Sequence, residues 1–132
     1  MPICHDFHLH SSFSADSDAA PASMIERAVA LGLNGMCFTE HLDLDCPPEG
    51  PDFALDLDSY FPEIDRLKQR YRGQIRIGTG IEFGMQRPHA AYFQDLVHDH
   101  PFDFVIGSVH FIGGKDPYYP SFFEGKSEEE AY

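Results

Sequence analysis

Phe102-Asp-Phe-Val-Ile-Gly-Ser-Val109 is a nearly continuous apolar run, of the kind found in strands buried on both faces of a parallel sheet. Working back from it, His89 to His98 reads as a helix packing through Phe93 and Val97, and Ile75 to Phe83 as another strand. Tyr60 to Tyr71 forms a helical repeat with Ile64, Leu67 and Tyr71 on its inner face. It follows a long polar loop, Asp43 to Asp58, and a strand at Gly35 to Thr39. Pro21 to Leu31 is an amphipathic helix with Pro21 near its start, Met24, Ala28 and Leu31 on one face and Gly32 as its stop. Ile3 to His10 is the first short strand. The order β-α-β-α-β-α-β predicts an α/β fold with about four parallel strands, right-handed crossovers, and a sheet that is either open or part of a barrel.

The 132 residues are enough for one ordinary domain with its own core, and a hydrophobic fraction of 42% with 14% aromatics reads as globular. No apolar run approaches the roughly 18 to 20 residues that span a bilayer, so no membrane partner is expected. Nine Lys and Arg against twenty-two Asp and Glu give a net charge of -13, a field that repels nucleic acid backbones and anionic membrane surfaces. Most of those acids belong to a solvated surface, and some are available for divalent cations. Cys4, Cys37 and Cys46 are odd in number and contain no C-x-x-C pair, so no disulfide framework is indicated. Cys4 and Cys37, in strands, are expected to be small buried hydrophobes. With no basic stretch leading into an apolar one near residue 1, the expected compartment is the cytoplasm.

Ser127-Glu-Glu-Glu-Ala-Tyr132 has the pattern of a capping box, Ser127 as N-cap and Glu130 as the answering residue, opening a helix of a single turn. So short a helix does not stabilise itself, which suggests a fragment of a longer chain.

The chemistry concentrates at one end of the strands. In Asp6-Phe-His8-Leu-His10 the i, i+2 spacing aims two imidazoles at one spot, which suits Zn, Mn or Fe. The next three strands end in Glu40-His41, Glu82 and His110, residues able to bind cations at the edge where α/β folds build their sites. Asp16, on the first β-α loop, can reach the same rim, with Asp18 as its substitute. Asp6 is a candidate partner for a ligating imidazole. His5, His89, His98 and His100 read as ordinary surface residues, and Gly78 and Gly80 as tight packing inside a strand.

Taken together, D-F-H-L-H with S-x-D-S downstream, F-T-E-H-L-D, G-I-E-F-G and F-V-I-G-S-V-H-F resemble the PHP domain, the polymerase and histidinol phosphatase superfamily, over essentially the whole chain. G-I-E-F-G, G-S-V-H-F and the ending F-F-E-G-K-S-x-E-E-A-Y look most like its monofunctional histidinol-phosphate phosphatases. The resemblance implies that residues 1–132 are the N-terminal portion of a single PHP domain, a distorted (β/α)7 TIM-like barrel. It also implies up to three divalent metals in the complete enzyme (Zn, Mn or Fe) and hydrolysis of a small phosphate monoester, L-histidinol phosphate, in histidine biosynthesis. By the same carry-over, His8, His10 and Glu82 hold one metal; Glu82 bridges to a second held by His110; Asp16 and His41 hold the third. Glu82 and His41 are the expected catalytic residues. The family completes its metals with a further His and an Asp-x-His motif from later strands, so the chain alone is expected to be weakly metallated and inactive. Two other readings stay open: a PHP-type phosphoesterase acting on another substrate, and a non-catalytic half-barrel that forms a homo-oligomer through its open sheet edges.

Overall fold

The computed structural model describes residues 3–131. Four parallel strands lie in the order β1-β2-β3-β4: His5–Asp6, Gly35–Leu42, Arg76–Gly84 and Phe104–Ser108. Helices α1 (Pro21–Ala30), α2 (Leu57–Arg70) and α3 (Ala90–Asp99) provide the crossovers. Phe7, just past β1, meets the ring of Phe104 on β4 at 5.5 Å although those strands are not neighbours. The sheet is therefore curled into a half-barrel.

β1 is shorter than the sequence suggests. The Asp6 carboxylate accepts the backbone N–H of His8 at 3.2 Å, a local turn that competes with the ladder. The chain nevertheless stays beside β2, since Thr39 N–H donates to the Leu9 carbonyl at 2.8 Å and Leu9 N–H to the Thr39 hydroxyl at 3.0 Å. Cys4, expected inside, is consequently exposed, whereas Cys37 on β2 is buried and its thiol is pushed up to about 12 by desolvation.

β2 is buried on both faces, as a central parallel strand should be. β4, expected to match it, does not: Phe104 and Val105 are exposed, because β3 flanks it on one side only and no further strand among the described residues pairs with the other. The helices pack through Ile25 and Ala28 of α1, Tyr60, Ile64 and Leu67 of α2, and Phe93 and Leu96 of α3, against Met36, Phe38, Ile81 and Phe83 of the sheet. Leu31 and Val97, assigned to inner faces by periodicity, point outward, and Ile25 and Leu96 take those places. Leu31 is the last residue before Gly32, whose φ of 77° breaks the helical rotation that its inward placement assumed.

α2 starts earlier than Tyr60 because Asp56 caps it, accepting Asp58 N–H at 3.1 Å and the Ser59 hydroxyl. The Tyr60 hydroxyl, fully buried, bonds the carbonyls of Phe38 (3.1 Å) and Gly80 (2.9 Å) and so ties α2 to two strands at once. Half of the expected box forms at Ser127 and Glu130: Ser127 N–H donates to Glu130 Oε2 at 2.9 Å, but Ser127 Oγ also donates to that oxygen at 2.9 Å, and Glu130 N–H goes to the Ser127 carbonyl instead at 3.2 Å, opening α4 (Glu128–Ala131). Tyr132, the last residue of that expected helix, lies outside the described residues. No helix among the described residues is long and apolar enough to cross a membrane.

Candidate metal centre at the strand ends

Parallel pairing aligns the C-terminal ends of the strands, with His41 opposite Glu82 and Glu82 opposite Ile106 in register. Every side chain that follows a strand end is therefore delivered to one rim. Glu82 lies at the centre of the group. Its buried carboxylate sits 2.7 Å from His8 Nε2, 3.3 Å from His10 Nε2 and 3.1 Å from His110 Nε2, and accepts the Ser108 hydroxyl at 2.6 Å. Burial alone would raise its pKa, but the bonds from His10, His110, Ser108 and His8 win and hold it well below the usual carboxylate range. His10 is raised in return, mainly by its bond to Glu82.

His41 continues the group sideways. Its ring stacks on His10 at 4.3 Å and approaches His110 at 4.8 Å, and its Nε2 is 3.5 Å from Asp16. Three overlapping sets of donor atoms result, each within 4.8 Å: His8, His10 and Glu82; His10, Asp16 and His41; His41, Asp43 and His110. All six residues singled out as metal ligands in the sequence thus converge, and of Asp16 and Asp18 only Asp16 takes part.

Asp43 was placed in the polar loop, yet its carboxylate is fully buried, 2.7 Å from His110 Nδ1 and 3.5 Å from His41 Nδ1. Desolvation raises its pKa, and the bond from His110 and the neighbouring His41 ring together outweigh this and lower it. His110, held between Asp43 and Glu82, is raised to about 10. The signal lay in Thr39-Glu-His-Leu-Asp43: β2 runs on to Leu42, so the alternation of a strand aims His41 and Asp43 the same way. Asp6, expected to bond an imidazole, instead accepts the His8 backbone N–H.

Glu40 faces the opposite way from His41 and is fully buried. It accepts Ser11 N–H (2.9 Å), Ser11 Oγ (2.6 Å) and Ser14 Oγ (2.7 Å), while Ser14 Oγ accepts His41 N–H at 2.9 Å. That network folds the first β-α loop back over β2 and sets the position of Asp16. His5, His98 and His100 take no part in the donor sets, and His89 lies outside them, 2.9 Å from Asp45.

The donor chemistry fits a cation. Neutral imidazoles mixed with carboxylates suit borderline and hard divalent ions. Among the described residues, buried His10 Nδ1, His41 Nδ1 and Asp43 Oδ2 have no hydrogen-bond partner, although polar groups in this position are normally satisfied.

Comparison with known proteins agrees with this chemistry. The chain is 42% identical over 127 residues to the histidinol-phosphatase of Lactococcus lactis, covering 96% of this chain and 46% of that protein. It is 32% identical over 123 residues to the histidinol-phosphatase of Bacillus subtilis, covering 81% of this chain and 44% of that protein. The crystal structure of histidinol phosphate phosphatase from L. lactis, complexed with zinc, L-histidinol and phosphate, superposes with a TM-score of 0.89 at 41% identity, over 96% of this chain and 48% of that one. The chain thus spans about half the length of the curated relatives it matches. Residues 6–132 match the PHP domain, and the chain belongs to that family.

Proposed function

We propose that this chain supplies the N-terminal portion of a single PHP domain whose activity is hydrolysis of L-histidinol phosphate, a cytoplasmic step of histidine biosynthesis. The observation that carries the reading is the set of three overlapping donor groups linked through His10 and His41, in a fold shared with a relative that binds zinc, L-histidinol and phosphate. His8, His10 and Glu82 would hold one divalent ion, Glu82 and His110 a second, and Asp16 and His41 a third; Zn, Mn and Fe all suit these donors. Such ions, when bound, lower the pKa of a coordinated water and neutralise charge on phosphate oxygens.

The chain's own residues do the rest. Glu82, ionised at any physiological pH, is shared by three imidazoles and fixes their spacing. Asp43 holds His110 by Nδ1 and so leaves its Nε2 directed at the Glu82 side of the cluster. The Glu40–Ser11–Ser14 network keeps Asp16 beside His41 without spending either of those ligands on the fold.

The test is metal analysis of the purified full-length protein together with release of phosphate from L-histidinol phosphate. His8→Ala is expected to lower bound metal and to reduce turnover by about a hundredfold or more. Undiminished turnover in that variant, or a full-length protein without metal, overturns the reading. A substrate panel in which a nucleotide or a phosphodiester outperforms L-histidinol phosphate would keep the chemistry and replace the substrate.

A further inference from the structure

The β2–β3 ladder ends where Leu42 faces Phe83, one residue short of Asp43. Asp43 then turns its own backbone into the loop: its N–H donates to the Phe53 carbonyl at 3.1 Å, and its carbonyl accepts the Cys46 thiol at 3.6 Å. Its carboxylate must nevertheless stay at the rim, 2.7 Å from His110 Nδ1 and 3.5 Å from His41 Nδ1. The pairing that aims His41 has stopped by this point, so other groups have to fix the chain.

Two side chains just past β3 reach across to it. The half-buried Gln86 amide donates from Nε2 to the Leu44 carbonyl at 2.7 Å, a backbone acceptor that the ladder no longer serves. His89 Nε2–H donates to the Asp45 carboxylate at 2.9 Å. His89 is braced from the core, since its ring meets Phe93 edge-on at 6.4 Å and Phe93 stacks on Phe83 at 4.4 Å. The short 3₁₀ turn Arg87–His89 that carries it is closed by His89 N–H on the Gln86 carbonyl at 3.0 Å and runs directly into α3. Asp45 is the one non-glycine residue among the described residues with a positive φ, 54°. Aspartate tolerates that left-handed conformation better than most residues, but it persists only where the surroundings hold it. An exposed carboxylate–imidazole pair adds little to stability by itself. Its effect here is on the course of the backbone two residues from Asp43.

We propose that Gln86 and His89 are positioning residues for the rim: from the end of β3 and the start of α3 they grip Leu44 and Asp45 and so hold the Asp43 carboxylate against His110 and beside His41. The inference rests on the rim being a metal site, as in the proposed function, and is independent of which phosphate ester is the substrate. It gives a task to His89, which lies outside every donor set, and to the strained residue it bonds.

The experiment is zinc affinity, read by chelator competition, in the full-length protein and its variants. Gln86→Met keeps the side chain's length and removes its donor; His89→Phe keeps a ring against Phe93 and removes the other donor. Together they are expected to weaken zinc binding by about fivefold or more in the native background, but by less than about twofold in the Asp43→Asn background, because the grip acts through that carboxylate. Asp45→Gly, which adopts the positive φ freely but lacks the acceptor, is expected to weaken binding about threefold or more. Asp45→Asn keeps both an acceptor and a tolerance for that conformation and is expected to stay within about twofold of native. A loss of the same size in both Asp43 backgrounds, a double variant within about twofold of native, or Asp45→Asn as weak as Asp45→Gly would each overturn the assignment. Phosphate release from L-histidinol phosphate is measured in parallel. Zinc binding and hydrolysis without coupling to Asp43 refute the grip alone; coupling in zinc affinity without hydrolysis refutes the phosphatase reading alone. A native protein that binds no zinc refutes both.

Discussion

Asp43 shows how a single carboxylate can organise a site without being its most visible residue. One of its oxygens bonds His110 Nδ1 at 2.7 Å and so fixes which nitrogen that ring offers to the cluster, while the other lies 3.5 Å from His41 Nδ1. A Cβ on Gly84 would overlap that carboxylate, so the glycine ending G-I-E-F-G is required to make room for it. Asp43→Asn is expected to weaken zinc binding by roughly ten- to a hundredfold and, because the buried Asp43–His110 pair also supports the metal-free fold, to lower the thermal midpoint without metal. Gly84→Ala, which displaces the same group from the other side, should move affinity in the same direction. Chelator competition reads both, and an unchanged affinity in Asp43→Asn would show that the carboxylate does not orient the ligands. At this scale the sequence was legible where a candidate donor ends or follows a strand: His8, His10, Asp16, His41, Glu82 and His110 all converge. Asp43 was hidden because Thr39 looked like the end of β2. The role of Glu40 was hidden because its serine partners lie about thirty residues away in the chain, a separation that no local pattern encodes.

The strands depend on close approach in the middle of β3. A Cβ on Gly80 would lie 2.8 Å from the carbonyl oxygens of both Phe38 and Phe104, backbone atoms of the two neighbouring strands. A Cβ on Gly78 would meet the Cys37 sulfur at 2.7 Å, a side chain that can be removed. The two glycines should therefore behave differently. Gly80→Ala is expected to cost about 3 kcal/mol, because relief requires pulling a ladder apart. Gly78→Ala should cost less, and combining it with Cys37→Ala should recover about 1 kcal/mol or more relative to the sum of the single changes. Denaturant midpoints of the four variants measure this, and additivity in the Gly78–Cys37 pair would mean that the sulfur is not the obstacle. The elements themselves could be read from periodicity, and so could the packing reason for these glycines. The helix phases were less secure: Leu31, just past the end of α1, and Val97 on α3, both assigned to inner faces, lie outside. A window that contains several apolar residues admits two faces, and only the neighbouring sheet selects between them.

For the molecule as a whole, the parallel order of four strands was legible and the exposure of β4 was not, since an apolar run reports what a strand tolerates rather than what covers it. The clustering of charge also belongs to this scale. A net charge of -13 weakens any compact state by self-repulsion, and the rim adds Asp16, Asp43 and Glu82 in one place. In the absence of cations the imidazoles offset them: pairing, against the opposing pull of burial, draws Glu82 and Asp43 down and His110 up. A divalent ion bound by the folded rim, and only weakly by an unfolded chain whose ligands are scattered from His8 to His110, must stabilise the fold through mass action. At a free zinc concentration a hundred times the dissociation constant the gain is about 2.7 kcal/mol. For a domain of this size that corresponds to a rise in thermal midpoint of roughly 10 °C. The rise should disappear on adding a chelator and should be largely absent in a His10→Ala, His41→Ala double variant, since these two rings connect all three donor sets. Sodium chloride at matched ionic strength separates general screening from site binding, because screening acts equally on the double variant. A midpoint that rises as much with salt as with zinc, or equally in both proteins, would place the effect in the overall acidity of the chain and not in its histidine rim.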